Sequence, residues 1–250
     1  MIIDHCQVSD VPRLRRLWQQ AFGDTDAFLN AFFSVGFAPE RSLCVRPEDE
    51  IAAALYWFDC ELDGQKLAYL YAVATDADHR GQGLCHSLMA QTHGLLAQQG
   101  YAGAVLVPGS GSLFRFYEKM GYRRFGGIQQ ITATAAVAPA RLEAVTAEEY
   151  ARLRKQFLPV GGVVQEGALL RFLATQAQFY KGEDLLLCCI REGDRLIVPE
   201  LLGSGNPADI LTALGCVTGV FRTPGETPFA MFFPLREGTA TPKYFAFALD

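Results

Sequence analysis

An α/β fold, with strands and helices interleaved and laid out as two successive halves, is what the amino-acid sequence predicts. Three observations predict it. Helical spacing and two-residue alternation of apolar residues take turns along the chain instead of occupying separate blocks. The alternation stops at Ala138-Pro139-Ala140, and a freshly capped helix begins soon after, which is how a linker reads. The 250 residues, 50% hydrophobic and 20% charged, suffice for one large core or for two domains of about 125 residues each.

Taken in order, Ile2 and Ile3 start a short strand. Ser9 and Asp10 are N-cap residues, Pro12 suits a first turn, and Val11, Leu14, Leu17, Trp18, Ala21 and Phe22 recur at helical spacing until Gly23. A second helix runs from Asp24 or Asp26 toward Gly36. Strands are expected over 42–46, 51–62 and 67–75, in meander order around the turns at 47–50 and Gly64. A helix follows over 83–99, a strand over 102–107, a short helix over 113–120 and one or two strands over 122–137. Beyond the linker the expectations are helices at 146–158 and 167–180, strands at 184–191 and 195–202, a helix at 207–214, and strands near 216–222, 228–235 and 243–249. The second half thus echoes the order of the first without its residues, as a degenerate tandem repeat would. Domains are expected at 1–137 and 141–250.

Composition removes several function classes. With 22 basic and 27 acidic residues and a net charge of −5, the chain lacks the cationic surplus of a general nucleic-acid binder. It begins MIIDHCQVSD, without a basic or apolar leader, and no stretch has the length of a membrane span, so a cytoplasmic protein is expected, with no nucleic acid and no membrane as partner. Seven cysteines without CxxC spacing and four histidines without a ligand pair predict reduced thiols and no metal.

The informative stretch runs from Tyr69 through Thr75 into Asp76-Ala-Asp-His-Arg-Gly-Gln-Gly-Leu-Cys85 and then a helix. A strand entering a loop with Arg80, Gly81 and Gly83 immediately before a helix gathers unpaired backbone N–H groups and the positive helix end around one point. Glycines remove Cβ atoms where a phosphate must approach, and Arg80 adds a charge-assisted contact. A Walker loop fails because no Lys follows Gly83. A dinucleotide fingerprint fails because His86 stands where its third glycine belongs. An ordinary Gly-rich turn with an exposed Arg is the bland alternative.

Arg80-Gly81-Gln82-Gly83-Leu84-Cys85 resembles the pyrophosphate loop of the Gcn5-related N-acetyltransferase (GNAT) superfamily, Gln/Arg-x-x-Gly-x-Gly/Ala, departing only at Cys85. Phe116-Tyr117-Glu118-Lys119-Met120-Gly121-Tyr122 resembles that family's FYEKxGF segment, after a strand and at the expected distance. The resemblance covers roughly residues 1–135. It implies a GNAT-type mixed sheet and acetyl-CoA as donor. The pyrophosphate would be held by backbone amides from Gly81 through Gln82, Gly83, Leu84 and Cys85 to His86, and the pantetheine arm by Val73, Ala74 and Thr75. It places Tyr117 as general acid and puts Ser110 where the family often has an asparagine near the coenzyme. The paired aromatic helices around Trp18 and Ala21-Phe22-Gly23-Asp24, with a second half following, look most like the Eis-like tandem branch. There the second domain is a degenerate GNAT fold and the terminal carboxylate serves as base, which points to Asp250.

Other candidates carry less. Asp59 and Glu61 are acids on the strand before the motif strand, or solvated edge charges. His79 and His86 flank the phosphate loop, His93 is expected on the solvent side of its helix, and Cys60 reads as a buried thiol. Gly203-Ser-Gly-Asn-Pro207 precedes a helix in the second half, but without an Arg and with a proline removing an amide it reads as a structural turn. The expected activity is acetyl transfer from acetyl-CoA to a small-molecule primary amine. The alternative is a non-catalytic acyl-CoA-binding or regulatory module, and the oligomeric state is left open.

Overall fold

The computed structural model describes residues 1–248. The first half contains β1 (Ile2–Asp4), α1 (Val11–Phe22), α2 (Asp26–Ala31), β2 (Ser42–Arg46), β3 (Ala53–Leu62), β4 (Gln65–Thr75), α3 (Leu84–Gln98), β5 (Gly103–Leu106), α4 (Gly111–Glu118) and β6 (Arg123–Thr134). The second contains β7 (Glu143–Val145), α5 (Ala147–Phe157), β8 (Val164–Gln165), α6 (Ala168–Leu173), β9 (Gln178–Lys181), β10 (Leu185–Glu192), β11 (Arg195–Gly203), α7 (Pro207–Ala213), β12 (Thr218–Pro224) and β13 (Thr227–Pro234). The N-caps that start these helices include Thr25, Thr146 and Asn206, each accepting a hydrogen bond from a first-turn amide.

The thirteen strands found among the described residues join one mixed sheet, ordered β1-β2-β3-β4-β5-β13-β6-β12-β11-β10-β9-β7, with β8 pairing against β3. Two of its pairs are parallel, β4 with β5 and β11 with β12. Each parallel pair is followed by a strand from the other half: β13 lies beside β5, and β6 lies beside β12. The halves are therefore interlocked through a central β6–β13 pair. The chain from β12 to β13 crosses β6 at Gly225, where it changes from one edge of that strand to the other. The crossing is so close that a Cβ on Gly127 would lie 1.8 Å from the Gly225 carbonyl oxygen.

Helices cover both faces. One core gathers α1, α2, α5 and α6 with aromatic residues of β3 and β4, and includes Tyr244, Phe245 and Phe247 from the last described segment. The opposite face packs under α3 and α4, and a third cluster lies under α7.

Three local expectations change. The helix expected over 167–180 stops at Leu173, because Gln178–Lys181 pairs with β10 and seats Phe179 against Tyr150, ring centroids 4.7 Å apart. Cross-strand pairing and burial outweigh local helical spacing here. Residues 243–248 form no strand; only a bridge between Tyr244 and Gly162 remains, yet Tyr244 through Ala248 are all buried. His93 is not on a solvent side: its Nε2 lies 2.7 Å from the Tyr122 hydroxyl and its ring stacks on Phe233 of β13 at 4.2 Å. Burial pushes that imidazole down to about 4.

The last segment is held by a buried polar network. Arg154 of α5 grips Glu200 of β11 with a fork, Nε to Oε2 at 2.7 Å and Nη2 to Oε1 at 2.9 Å. Tyr150 and Tyr244 donate to the same carboxylate at 2.6 and 3.0 Å. Gln165 accepts from the amides of Ala246 and Phe247 and donates to the Phe247 carbonyl. Arg154 and Glu200 are 1% and 0% exposed, so each depends on the other for its charge to be tolerated. No helix among the described residues is long and apolar enough to cross a membrane.

Candidate active site

The site begins with a strand that leaves its neighbour. β4 pairs with β5 only over Leu67–Tyr69, whereas it follows β3 as far as Thr75. Between Tyr71 and Ala74 the β3–β4 register shifts, and Ala72 adopts φ 49°, a left-handed bulge in an otherwise extended strand. Beyond Tyr69 no pairing of β4 with β5 is found among the described residues. Val73, Ala74 and Thr75 lie on this stretch, next to the opening.

The loop that follows is built to present amides. Asp76 ties it down: its carboxylate accepts from the Asp78 amide at 3.0 Å and from Arg13 of α1 at 2.7 Å. The Arg13 guanidinium holds the Asp76 carboxyl below the usual carboxylate range. Gly81 and Gly83 both have φ near +77°, values of +77° and +76°, and a Cβ at either would meet nothing within 4 Å, so the space above them is open. Gly83 caps α3 without a side-chain hydrogen bond, leaving first-turn amides from Leu84 to His86 directed at that space. Arg80, exposed, donates from Nε to the Thr75 carbonyl at 3.3 Å. Loop, glycines and helix start therefore suit a pyrophosphate.

A groove of about 480 Å³ runs along this surface, lined by Val73, Ala74, Thr75, Arg80 and the residues from Gly83 to His86. It continues into a second cavity of about 280 Å³ between the splayed strands; Phe22, Val73, Leu113 and Tyr117 line both. Tyr117 sits at this junction, 6% exposed, on α4. Burial pushes its phenol well above the ordinary tyrosine value, so it carries its proton at neutral pH. Cys85, half-buried in the groove wall, is raised to about 11 by burial and remains a thiol.

Not every expected residue is brought to this place. Ser110 is exposed at the start of α4, its hydroxyl 2.9 Å from that of Ser112, and it lines neither cavity. Gln82 is exposed and likewise lines neither. Asp59 and Glu61 border a separate pocket at the β3–β4 turn, where Asp59 accepts from Tyr101 and pairs with Lys66. Cys60 is buried, its thiol donating to the Leu67 carbonyl. In the second half, Asn206 already takes the Ala208 amide and a Cβ on Gly203 would lie 2.0 Å from the Asp184 carbonyl oxygen, the geometry of a packed turn. Asp250 lies outside the described residues, but Ala248 lines the 280 Å³ cavity opposite β4. Among the described residues no cluster of His, Cys, Asp and Glu could hold a metal ion.

Sequence reasoning missed the far wall. Trp18, Asp24, Tyr69 and Tyr71 line the same cavity. The signal was present: Tyr69 and Tyr71 alternate onto one face of β4 immediately before the bulge. Gly23 at φ 74° ends α1 and turns the chain so that Asp24 accepts from the Trp18 indole at 2.7 Å.

Residues 3–125 match the acetyltransferase (GNAT) domain family. Among solved structures, the chain is similar to a GCN5-related N-acetyltransferase from Anabaena variabilis, with TM-score 0.71 and 17% identity over 94% of this chain and 73% of that one. It is also similar to a GCN5-related N-acetyltransferase from Kribbella flavida (TM-score 0.69, 15% identity, 92% and 70% covered). Eis1 from Mycobacterium abscessus gives TM-score 0.67 at 12% identity, with 94% and 74% covered. At these identities the likeness is one of fold, and it spans both halves. No curated protein sequence matches the chain.

Proposed function

The first half of the chain is a GNAT acetyltransferase domain, and on that premise we propose that the protein transfers an acetyl group from acetyl-CoA to a primary amine in a direct ternary complex. The observation that carries this is the junction at Tyr117: a buried, protonated phenol where a groove with free helix-start amides meets a cavity large enough for an acceptor. Acetyl-CoA supplies the activated acetyl group. Residues Gly81 to His86 hold its pyrophosphate with amides, Arg80 adds charge, and the β4 stretch at Val73, Ala74 and Thr75, beyond its pairing with β5, receives the pantetheine arm as a strand would be received. As the amine nitrogen bonds to the acetyl carbon and the carbon–sulfur bond breaks, Tyr117 gives its proton to the departing sulfur.

The amine must lose a proton to attack. Asp250 is the proposed base, since Ala248, two residues before it, already stands in the cavity wall. Residues 1–137 act as the transferring domain and 141–250 as a degenerate copy that shapes the acceptor side; the recurrence of a parallel strand pair in each half supports this. Incubating the protein with acetyl-CoA and following free thiol tests the reading against that of a binding module. Thiol release that rises with added primary amine, and falls strongly when the last two residues are deleted, is expected. Tight coenzyme binding without amine-dependent release would leave only a binding module.

A further inference from the structure

We propose that the pocket between the β3–β4 turn and the start of α6 is a second binding site, for an acidic α-amino acid such as glutamate, with Arg41 and Arg171 for its carboxylates and Glu61 for its ammonium. The pocket, about 320 Å³, falls within the range of about 300–1,000 Å³ usual for small-molecule sites. It shares no lining residue with the groove and cavity that meet at Tyr117. Each half supplies a wall: Arg41, Asp59, Glu61 and Lys66 come from the first, Glu166 and Arg171 from the second. β8 holds the walls together, since Cys60 pairs with Gln165 and Glu61 with Val164.

Two guanidinium groups in need of acceptors point to a ligand. The Arg41 side chain is 27% exposed, and among the described residues it makes no hydrogen bond; its ion-pair contact to Asp59 is 3.9 Å long. A guanidinium carries five N–H donors, and one so far removed from water ordinarily gives several of them to acceptors. Arg171 lines the same pocket, exposed, with neither a hydrogen bond nor an ion pair from its side chain among the described residues. The neighbouring carboxylates are engaged elsewhere. Asp59 accepts from the Tyr101 hydroxyl and sits 3.5 Å from Lys66, and Glu166 is held by Lys155 at 2.8 Å. Glu61 is the exception: one oxygen accepts from the Gly64 amide at 3.2 Å, and no cation among the described residues pairs with it. With Lys155 included, four cations face three carboxylates, which leaves one positive charge in surplus. A molecule with two carboxylates and one ammonium complements that arrangement both in net charge and group by group. A plain anion would be opposed by Glu61, and a plain cation by the arginines. A carboxylate that meets an arginine fork takes two parallel N–H bonds, a stronger contact than the long one Arg41 now has.

Calorimetric titration of L-glutamate into the full chain, without coenzyme, should give saturable one-to-one binding. Glutarate, which lacks the ammonium, L-glutamine, which lacks the second carboxylate, and inorganic phosphate should each bind at least about tenfold more weakly. Arg171→Gln changes an exposed side chain that nothing holds, so it should melt at the parent's temperature while weakening glutamate binding about tenfold. Glu61→Gln should abolish the preference for glutamate over glutarate. Glutamate is itself a primary amine, so occupation of the acceptor cavity is the competing outcome: affinity unchanged in Arg171→Gln would place it there and overturn this inference. Failure to find saturable binding, or phosphate bound as tightly as glutamate, overturns it as well. None of these results bears on acetyl transfer, which thiol release reads separately.

Discussion

At the scale of single residues, the site depends on backbone conformations that side chains rarely adopt. Ala72 is the sharpest case. Its φ of 49° makes the bulge that turns β4 away from β5, and a left-handed alanine is already mildly strained. A β-branched side chain there is far worse, because its Cβ substituents collide with the neighbouring backbone. Ala72→Val should lower stability by about 1–3 kcal/mol in urea unfolding and weaken acetyl-CoA binding, whereas Ala72→Gly should do neither. Equal coenzyme affinity in the valine variant would show that the bulge does not shape the groove. Gly81 and Gly83 belong to the same class, and they were legible in the sequence because a glycine's freedom is a local property. Ala72 was not legible, because nothing in an alanine announces a positive φ.

Among elements, the last described segment shows how a piece without regular structure is fixed. Tyr244 through Ala248 form a continuous apolar run, and a strand near 243–249 was expected from them. The segment finds no sheet edge; it finds Gln165, the Gly162 bridge and the Arg154–Glu200 pair. Those partners come from α5, β8 and β11, far away in sequence, so no local pattern reveals them. Breaking the pair from one side leaves a buried, uncompensated charge. Arg154→Met should therefore destabilise by about 3–5 kcal/mol, and Arg154→Met combined with Glu200→Leu by much less, as read from urea midpoints. Equal losses in the single and double variants would mean that Glu200 gains nothing from its arginine.

For the molecule as a whole, the exchange of β6 and β13 decides what can fold alone. Signals for Arg80 to Cys85 and for Tyr117 are local, and the sequence displayed them in the right order on the right elements. Which strand sits beside β5 is not local: the apolar run from Phe229 to Phe233 looks the same whichever neighbour it meets. Without β13, residues 1–137 would expose the β5 edge and uncover Phe125 and Val105, both now packed in the common core. The fragment 1–137 should show no cooperative thermal transition by circular dichroism, and mixing it with 141–250 should restore one. A cooperative melt of 1–137 by itself would contradict the interlocked architecture. Close passage at Gly127 and Gly225 is part of the same design, since both glycines serve the point where the halves cross.

Tyr117 is proposed to protonate the departing sulfur at the junction of groove and cavity. Tyr117→Phe removes one hydroxyl from a buried ring and leaves its packing in place. Calorimetry should find acetyl-CoA affinity within about twofold of the parent protein, while amine-dependent thiol release falls about 100-fold or more. Unchanged thiol release in Tyr117→Phe would contradict the account.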